Sequence, residues 1–129
     1  MGINYSIDAE MGIVRLTHVG ESPVEEYKAT LTAIFRSPLY KPGFGFLVDR
    51  RTFDNPPESF VQGFVAFLNH NRTMLAGARW AVVALTPAGH DMARVGQTLA
   101  KVADDVVIVK AFSEIPEAEA WLRTGRQAF

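Results

Sequence analysis

The chain contains no cysteine in its 129 residues. Disulfides, thiolate metal sites, iron–sulfur clusters and cysteine nucleophiles are therefore excluded, and the absence suits a reducing cytoplasm. No apolar run approaches the roughly 20 residues that cross a bilayer, and the N-terminus carries no signal-peptide pattern. We therefore expect a cytoplasmic protein without a membrane span.

An excess of charge of one sign is also missing. Thirteen Lys and Arg balance 14 Asp and Glu to a net charge of -1, which argues against binding to nucleic acid or to an anionic membrane surface. The Gly43-Phe44-Gly45 segment does not continue into a phosphate-binding loop, and no G-x-S-x-G elbow occurs. The histidines, His18, His70 and His90, are not at metal-ligand spacing. We therefore expect neither a metal nor a cofactor.

What is present predicts a single α/β domain over residues 1–129, with its core at about residues 3–125. Apolar residues make up 48% and charged residues 21% of the chain, as in globular domains. Residues 4–8 and 13–18 alternate around Gly12 and predict a β-hairpin. Val14 and Leu16 would share one face of its second strand, and Ile13, Arg15 and Thr17 would share the other.

Three short apolar runs predict further strands, at residues 44–48, 79–85 and 106–111. Helix-start signals precede four amphipathic stretches, which begin near Ser22-Pro23, Asn55-Pro56, Thr86-Pro87 and Pro116. In the first, the inward face is Val24, Tyr27, Leu31, Ile34 and Phe35. The last would bury Ala118, Trp121 and Leu122 and stop at Gly125. The order β-β-α-β-α-β-α-β-α predicts a β-α sandwich with a mostly parallel sheet of about five strands, one antiparallel strand from the hairpin, and four helices.

Four segments carry a family resemblance: the opening INYSIDAEMGIVRLTHVGESPVEEY, the strands GFLVDRR and RWAVVAL, and the ending VIVKAFSEIPEAEAWLRTG. Over about Ile3 to Gly125 the chain resembles the STAS domain of anti-sigma-factor antagonists, and most closely the STAS-like group described as STAS/SEC14 domain-containing. This resemblance implies a β-α superhelical sheet and a binding or regulatory role in a bacterium, and it does not imply catalysis.

One segment departs from the pattern that the resemblance implies. Phosphoregulated members of the family carry a serine in an Asp-Ser-Ser-Gly type turn at a helix N-terminus, where a phosphate is favoured. The corresponding segment here is TFDNPPES, residues 52–59. Asp54 matches the acidic position loosely, whereas Asn55 and two prolines replace the serines and the glycine. Thr52 lies too early and Ser59 about a turn late, so we expect no phosphoswitch.

The densest polar cluster follows the strand at residues 44–48 and comprises Asp49, Arg50, Arg51, Thr52, Asp54 and Asn55. Ligands of open α/β sheets bind outside the carboxyl ends of the strands, and helix N-termini attract anions. An anion held by Arg50 and Arg51 is one interpretation. The other, which we favour, is a set of strand-end salt bridges with Asn55 as a helix cap. His90 could face the two arginines across the strand ends.

The second predicted helix is unusually rich in phenylalanine, with Phe60, Phe64 and Phe67 on an apolar arc of roughly 160°. Three interpretations remain open: burial under neighbouring helices, a homodimer surface, or the wall of a pocket for an apolar ligand such as a lipid.

These observations lead to three functional hypotheses. The first is a non-enzymatic STAS-like domain that binds a protein partner or a small ligand through residues 49–55 and His90. The second is a carrier or sensor of a small apolar or anionic molecule, with the phenylalanines as pocket wall and Arg50 and Arg51 at its head group. The third is a small enzyme that uses Asp49, Arg50 and His90.

Overall fold

A computed structural model describes residues 2–19, 24–50, 66–75, 77–85, 94, 97 and 107–127 of the chain. Within them the elements are β1 (Gly2–Asp8), β2 (Ile13–Val19), α1 (Val24–Arg36), β3 (Gly45–Asp49), α2 (Arg72–Leu75), β4 (Ala78–Val83), β5 (Val107–Phe112) and α3 (Ile115–Gln127). Residues 66–70 are also helical, as are Arg94 and Gln97. Helices thus occur at the four predicted places along the chain.

The strands form one five-stranded sheet in the order β1-β2-β3-β4-β5. β1 pairs with β2 in antiparallel orientation, and β2, β3, β4 and β5 pair in parallel. The predicted α/β class is therefore confirmed, with a mostly parallel sheet and one antiparallel strand from the opening hairpin.

The hairpin turns where the sequence predicts it to turn. Gly12 has a φ of 68°, a left-handed conformation that glycine adopts without steric cost. Its N–H donates to the carbonyl of Asp8 at 2.8 Å, and the N–H of Met11 donates to Oδ1 of Asp8 at 3.0 Å. The turn thus satisfies its own polar groups and fixes the register in which Asp8 lies opposite Ile13.

Helix α1 covers the sheet with the apolar face that its spacing predicts. Tyr27, Leu31 and Ile34 are buried and Phe35 is half-buried. The helix ends at Arg36, directly before Ser37-Pro38, because the residue preceding a proline is disfavoured in helical geometry.

The two faces of the sheet carry separate apolar clusters, since successive side chains of a strand point to opposite faces. Residues from α1 and from 66–75 pack on one face, against Val14, Leu16, Phe46, Val48, Trp80, Val82, Val107 and Val109. Ala118 and Leu122 of α3 pack on the other, against Ile13, Leu47, Ala81 and Val83. The predicted division of the β2 side chains between the faces is confirmed.

The prediction that the last helix stops at Gly125 is wrong, because α3 continues to Gln127. Nη1 of Arg79 donates to the carbonyl of Trp121 at 2.8 Å and to Oγ1 of Thr124 at 3.1 Å. These bonds tie the end of α3 to β4. Glycine inside a helix costs only about 1 kcal/mol relative to alanine, which such anchoring offsets.

Candidate functional site

The polar residues that follow β3 lie at the carboxyl ends of the parallel strands. Asp49 is the last residue of β3 and lies opposite Thr17 of β2 and Val83 of β4. The N–H of Arg50 donates to the carbonyl of Val83 at 2.9 Å, so the backbone stays bonded to β4 one residue beyond the strand. This is the edge at which open α/β sheets bind ligands.

Arg50 is buried, with only 8% of its surface exposed. The alternation of β3 continues into it, so its side chain leaves the sheet on the α1 side with Phe46 and Val48. Burial is the larger cause of the pKa shifts of His18 and Tyr27, but the guanidinium of Arg50 lies close enough to act on both: it adds to the fall in the pKa of His18 and opposes the rise in that of Tyr27. The structure thus shows a cation inserted between the sheet and α1.

His18 is 2% exposed and continues the buried face of β2 after Val14 and Leu16. Its ring stacks on that of Tyr27, with 5.3 Å between centroids and 26° between planes. Burial, reinforced by the charge of Arg50 and opposed by that of Asp49, lowers the pKa of His18 to about 3. The imidazole is therefore neutral at physiological pH.

Tyr27 reaches the same place from α1 and is 4% exposed. Burial raises the pKa of its phenol above the ordinary value of 10.0, and the nearby charge of Arg50 partly opposes that rise. We call His18, Tyr27, Asp49 and Arg50 the Arg50 cluster. It combines a permanent cation with a neutral imidazole and a neutral phenol, and Asp49 lies half-buried beside them.

The chemistry open to the Arg50 cluster follows from these charge states. A general base works best when its pKa lies near the working pH, so an imidazole with a pKa of about 3 is a poor proton acceptor at neutral pH. A buried guanidinium instead offers a fixed positive charge and a fork of donors, which suit an anionic group or the anchoring of the chain itself.

The structure describes only part of the predicted site. Asp49 and Arg50 lie at the predicted edge, Asp49 half-buried and Arg50 buried. The predicted site residues outside the described part of the chain are Arg51, Thr52, Asp54, Asn55, Phe60, Phe64 and His90, and Ser59 lies outside it as well.

Phe67 is the one member of the predicted phenylalanine arc that the structure describes. Its ring is half-buried, packs against the core and stacks on Phe35 with centroids 6.4 Å apart. The neighbouring Leu68 is fully buried. At these positions the helix contributes to the core, and the remainder of the arc keeps its three interpretations.

Sequence reasoning missed His18 and Tyr27 as members of the cluster. The signal for His18 was present, because it follows Val14 and Leu16 at the period of two that defines the buried face of a strand. Tyr27 is predicted correctly as buried. Nothing in the helical spacing indicates that its hydroxyl end meets an arginine.

Metal binding and membrane crossing find no support in the part of the chain that the structure describes. There, no three His, Cys, Asp or Glu side chains are grouped so that they could hold a metal ion. None of the helices in the same residues is long and apolar enough to cross a membrane. His70 is exposed.

Comparison with known proteins gives no match to this sequence or structure. No family model matches the chain, no curated protein matches it, and no solved structure matches its fold.

Proposed function

We propose that the chain is a STAS-like regulatory domain that acts in a bacterial cytoplasm by binding another protein and that catalyses no reaction. Its recognition surface is the carboxyl-end edge of the sheet, formed by residues 49–55 together with His90. Residues 51–55 and His90 are assigned to this surface from their place in the sequence.

The arrangement of the sheet supports the family resemblance behind this proposal. The resemblance implies a β-α superhelical sheet, in which each successive strand is added beside the previous one. The observed order β1-β2-β3-β4-β5 is of that kind. Fold alone does not assign function, so the proposal depends on the carboxyl-end edge itself.

The single observation that carries the proposal is the burial of Arg50 directly before the charged segment. Its backbone N–H is bonded to Val83, and its side chain is held among His18 and Tyr27. The backbone and side chain of Arg50, directly after β3, are therefore held in place. Rigid attachment lowers the entropy that a binding segment loses when it engages a partner.

The electrostatics of the Arg50 cluster support binding over catalysis. His18 is neutral with a pKa of about 3, and burial raises the pKa of Tyr27. Neither group exchanges protons readily near neutral pH. The cluster therefore suits a structural anchor beneath a recognition surface.

A second candidate, a carrier of a small anionic ligand, is favoured by the same buried arginine. A guanidinium between the sheet and α1 could hold a carboxylate or phosphate head group. The apolar remainder of such a ligand would lie along the phenylalanine arc, of which Phe67 already stacks on Phe35.

The test of the first proposal uses Arg51, because substitution of the buried Arg50 would disturb folding. We expect Arg51→Glu to weaken partner binding about tenfold or more, since reversed charge at an interface opposes association. Lys41→Glu is the matched control: Lys41 is exposed and precedes the amino end of β3. Tagged proteins would be expressed in the source cells, and the captured proteins compared by quantitative mass spectrometry.

The proposal requires a specific pattern in that comparison. At least one protein captured by the wild type and by Lys41→Glu should be depleted with Arg51→Glu, while all three proteins keep the same thermal unfolding midpoint. Equal capture by Arg51→Glu and the wild type would show that the carboxyl-end edge is not the recognition surface.

A further inference from the structure

β1 lies at one end of the sheet, and among the described residues no strand pairs with its outer side. The N–H of Ile3 donates to Oε1 of Glu26 in α1 at 3.1 Å, so it points away from β2. In an antiparallel pair, alternate residues direct their backbone groups toward the partner strand. The N–H and C=O groups of Ile3, Tyr5 and Ile7 therefore point outward.

A hydrogen bond at the turn of the hairpin indicates the same alternation of inward and outward backbone groups. The carbonyl of Asp8 accepts the N–H of Gly12 at 2.8 Å, so Asp8 faces the second strand. Asp8 is an odd number of residues from Ile3, Tyr5 and Ile7, as the alternation requires. Two independent hydrogen bonds thus assign the same set of groups to the outer edge.

Apart from the Glu26 carboxylate on the N–H of Ile3, the outer edge of β1 carries little of the protection that exposed edges usually have. Charged side chains, prolines and bulges ordinarily prevent edge-to-edge pairing. β1 contains no proline, its one charge is the terminal Asp8, and its seven residues pair with β2 without a bulge. Within the described residues only the N–H of Ile3 on this edge is bonded to another element, through Glu26.

The sequence of β1 is self-complementary about its centre. Tyr5 is the midpoint of Gly2–Asp8, so an antiparallel copy centred there spans the whole strand. The N–H of Ile3 would exchange its bond to Glu26 for one to the copy. Ile3 then lies opposite Ile7 of the copy, Asn4 lies opposite Ser6, and Tyr5 lies opposite itself. The like charges of the two Asp8 residues fall at opposite ends. We propose that a second copy of this chain binds at this edge and joins the two sheets through β1.

The side chains at this edge fit that occupant. Tyr5 is 45% exposed although it is a large ring, and the two-fold axis would place it against its own copy, an aromatic pair of the kind that stabilises sheets. Glu26, which accepts the N–H of Ile3, lies on the side of α1 that faces the outer edge of β1. Thr30 and Ala33, four and seven positions later, share that side, and they are small enough for a second α1 to approach.

The decisive test introduces a charge at the two-fold axis. We expect the wild type to be a dimer by native mass spectrometry and analytical ultracentrifugation. Tyr5→Lys and Tyr5→Glu, each alone, should weaken the dimer about tenfold, because like charges then lie directly opposite each other and the aromatic pair is lost. An equimolar mixture of the two variants should restore a dimer that contains one copy of each.

A second test uses the absence of native cysteine. Opposed residues of a hydrogen-bonded antiparallel pair have Cα atoms about 5.5 Å apart, within the range of a disulfide. Tyr5→Cys should therefore form a cross-linked dimer on mild oxidation. Ser6→Cys is the register control, because Ser6 would lie opposite Asn4 of the copy. Thr17→Cys, exposed on β2, is the control for random collision.

Each outcome of these two tests either supports the proposed dimer or overturns it. Restoration of a mixed Lys–Glu dimer together with cross-linking at position 5 supports the proposal. A monomeric wild type at the highest soluble concentration overturns it. A dimer that survives both charge variants overturns it in favour of another face, and cross-linking through position 6 in preference to position 5 overturns the Tyr5-centred register.

Discussion

His18 is a titratable side chain that the fold holds in its neutral form. Transferring an imidazolium into a buried site costs free energy, and the neighbouring Arg50 adds repulsion, which the charge of Asp49 partly opposes. The unfolded chain, by contrast, binds the proton near the ordinary pKa of 6.5. Protonation therefore favours unfolding, and acid should destabilise this protein through one identifiable residue.

We expect the protein to lose stability as the pH falls below about 6.5. In that range His18 is protonated in the unfolded chain, whereas in the folded protein it stays neutral down to about pH 3. Between pH 7 and pH 5 the free energy of unfolding should fall by about 2 kcal/mol from His18 alone. His18→Phe keeps a ring against Tyr27 and should lack this component. Urea unfolding at the two pH values measures the difference.

His70 provides the control for that experiment, because it is exposed to solvent. His70→Gln should reproduce the pH dependence of the wild type. Equal pH dependence in the wild type and His18→Phe would contradict the burial of a neutral imidazole.

Arg50 should behave as a buried anchor. Arg50→Met keeps much of the side-chain length but removes the charge that lowers the pKa of His18. The pKa of His18 should therefore rise while staying below 6.5, because burial is the larger cause. An NMR titration of labelled histidine measures this.

Arg50→Glu should be the more damaging change, costing about 3 kcal/mol or more, because it forces a carboxyl into a buried site.

A fall in the pKa of His18 in Arg50→Met would contradict the proximity of the two side chains. So would stability in Arg50→Glu equal to that of the wild type.

At the scale of residues, the sequence predicted that Asp49 and Arg50 lie at the carboxyl end of β3, but it did not predict how deeply Arg50 is buried. The cluster at Asp49 and Arg50 was predicted because charges follow a buried strand. The burial of Arg50 depends on His18 and Tyr27, which lie 32 and 23 positions earlier in the chain. Such distant neighbours are set by strand pairing and helix packing, which periodicity does not reveal.

At the scale of elements, α3 approaches the sheet closely at Gly45. A Cβ added there would lie 2.9 Å from Cδ2 of Leu122, a residue buried against the sheet. Glycine thus permits the helix to reach the start of β3. Two more contacts join the same helix to the neighbouring strands: Glu119 contacts Arg15 of β2 at 2.6 Å, and Arg79 of β4 donates to the carbonyl of Trp121.

We expect Gly45→Ala to destabilise the protein by about 1–3 kcal/mol, because overpacking forces side chains and backbone to shift. The same substitution in a Leu122→Ala background should cost less, since the clashing atom is gone. Chemical unfolding of the wild type, both single variants and the double variant gives the coupling. Additive costs would contradict the close approach of α3 to β3.

The elements themselves were largely predictable from local signals. Gly12 marked the hairpin and Ser37-Pro38 marked the end of α1, because both act through the backbone of a few adjacent residues. Gly125 failed as a stop signal because Arg79, 46 positions earlier in the chain, ties down the end of α3 through Trp121 and Thr124. Local signals predict boundaries well only where no tertiary contact opposes them.

At the scale of the whole molecule, the sheet presents two distinct surfaces. The carboxyl ends of β2 and β3 carry the Arg50 cluster, whereas the free side of β1 carries backbone groups and Tyr5. Alternating strands and helices predicted a mostly parallel sheet, but not which strands are neighbours, because strand order depends on long-range pairing. Partner binding at the first surface and self-association at the second can therefore be tested separately.

Native mass spectrometry of the protein purified gently from the cells that produce it distinguishes a protein-binding domain from a ligand carrier. We expect complexes that contain a second protein and chains that carry no small molecule. Arg51→Glu, purified in parallel, should lose the second protein and keep the fold. A stoichiometric small molecule on the wild-type chain, with no second protein bound, would contradict the account and favour the ligand carrier.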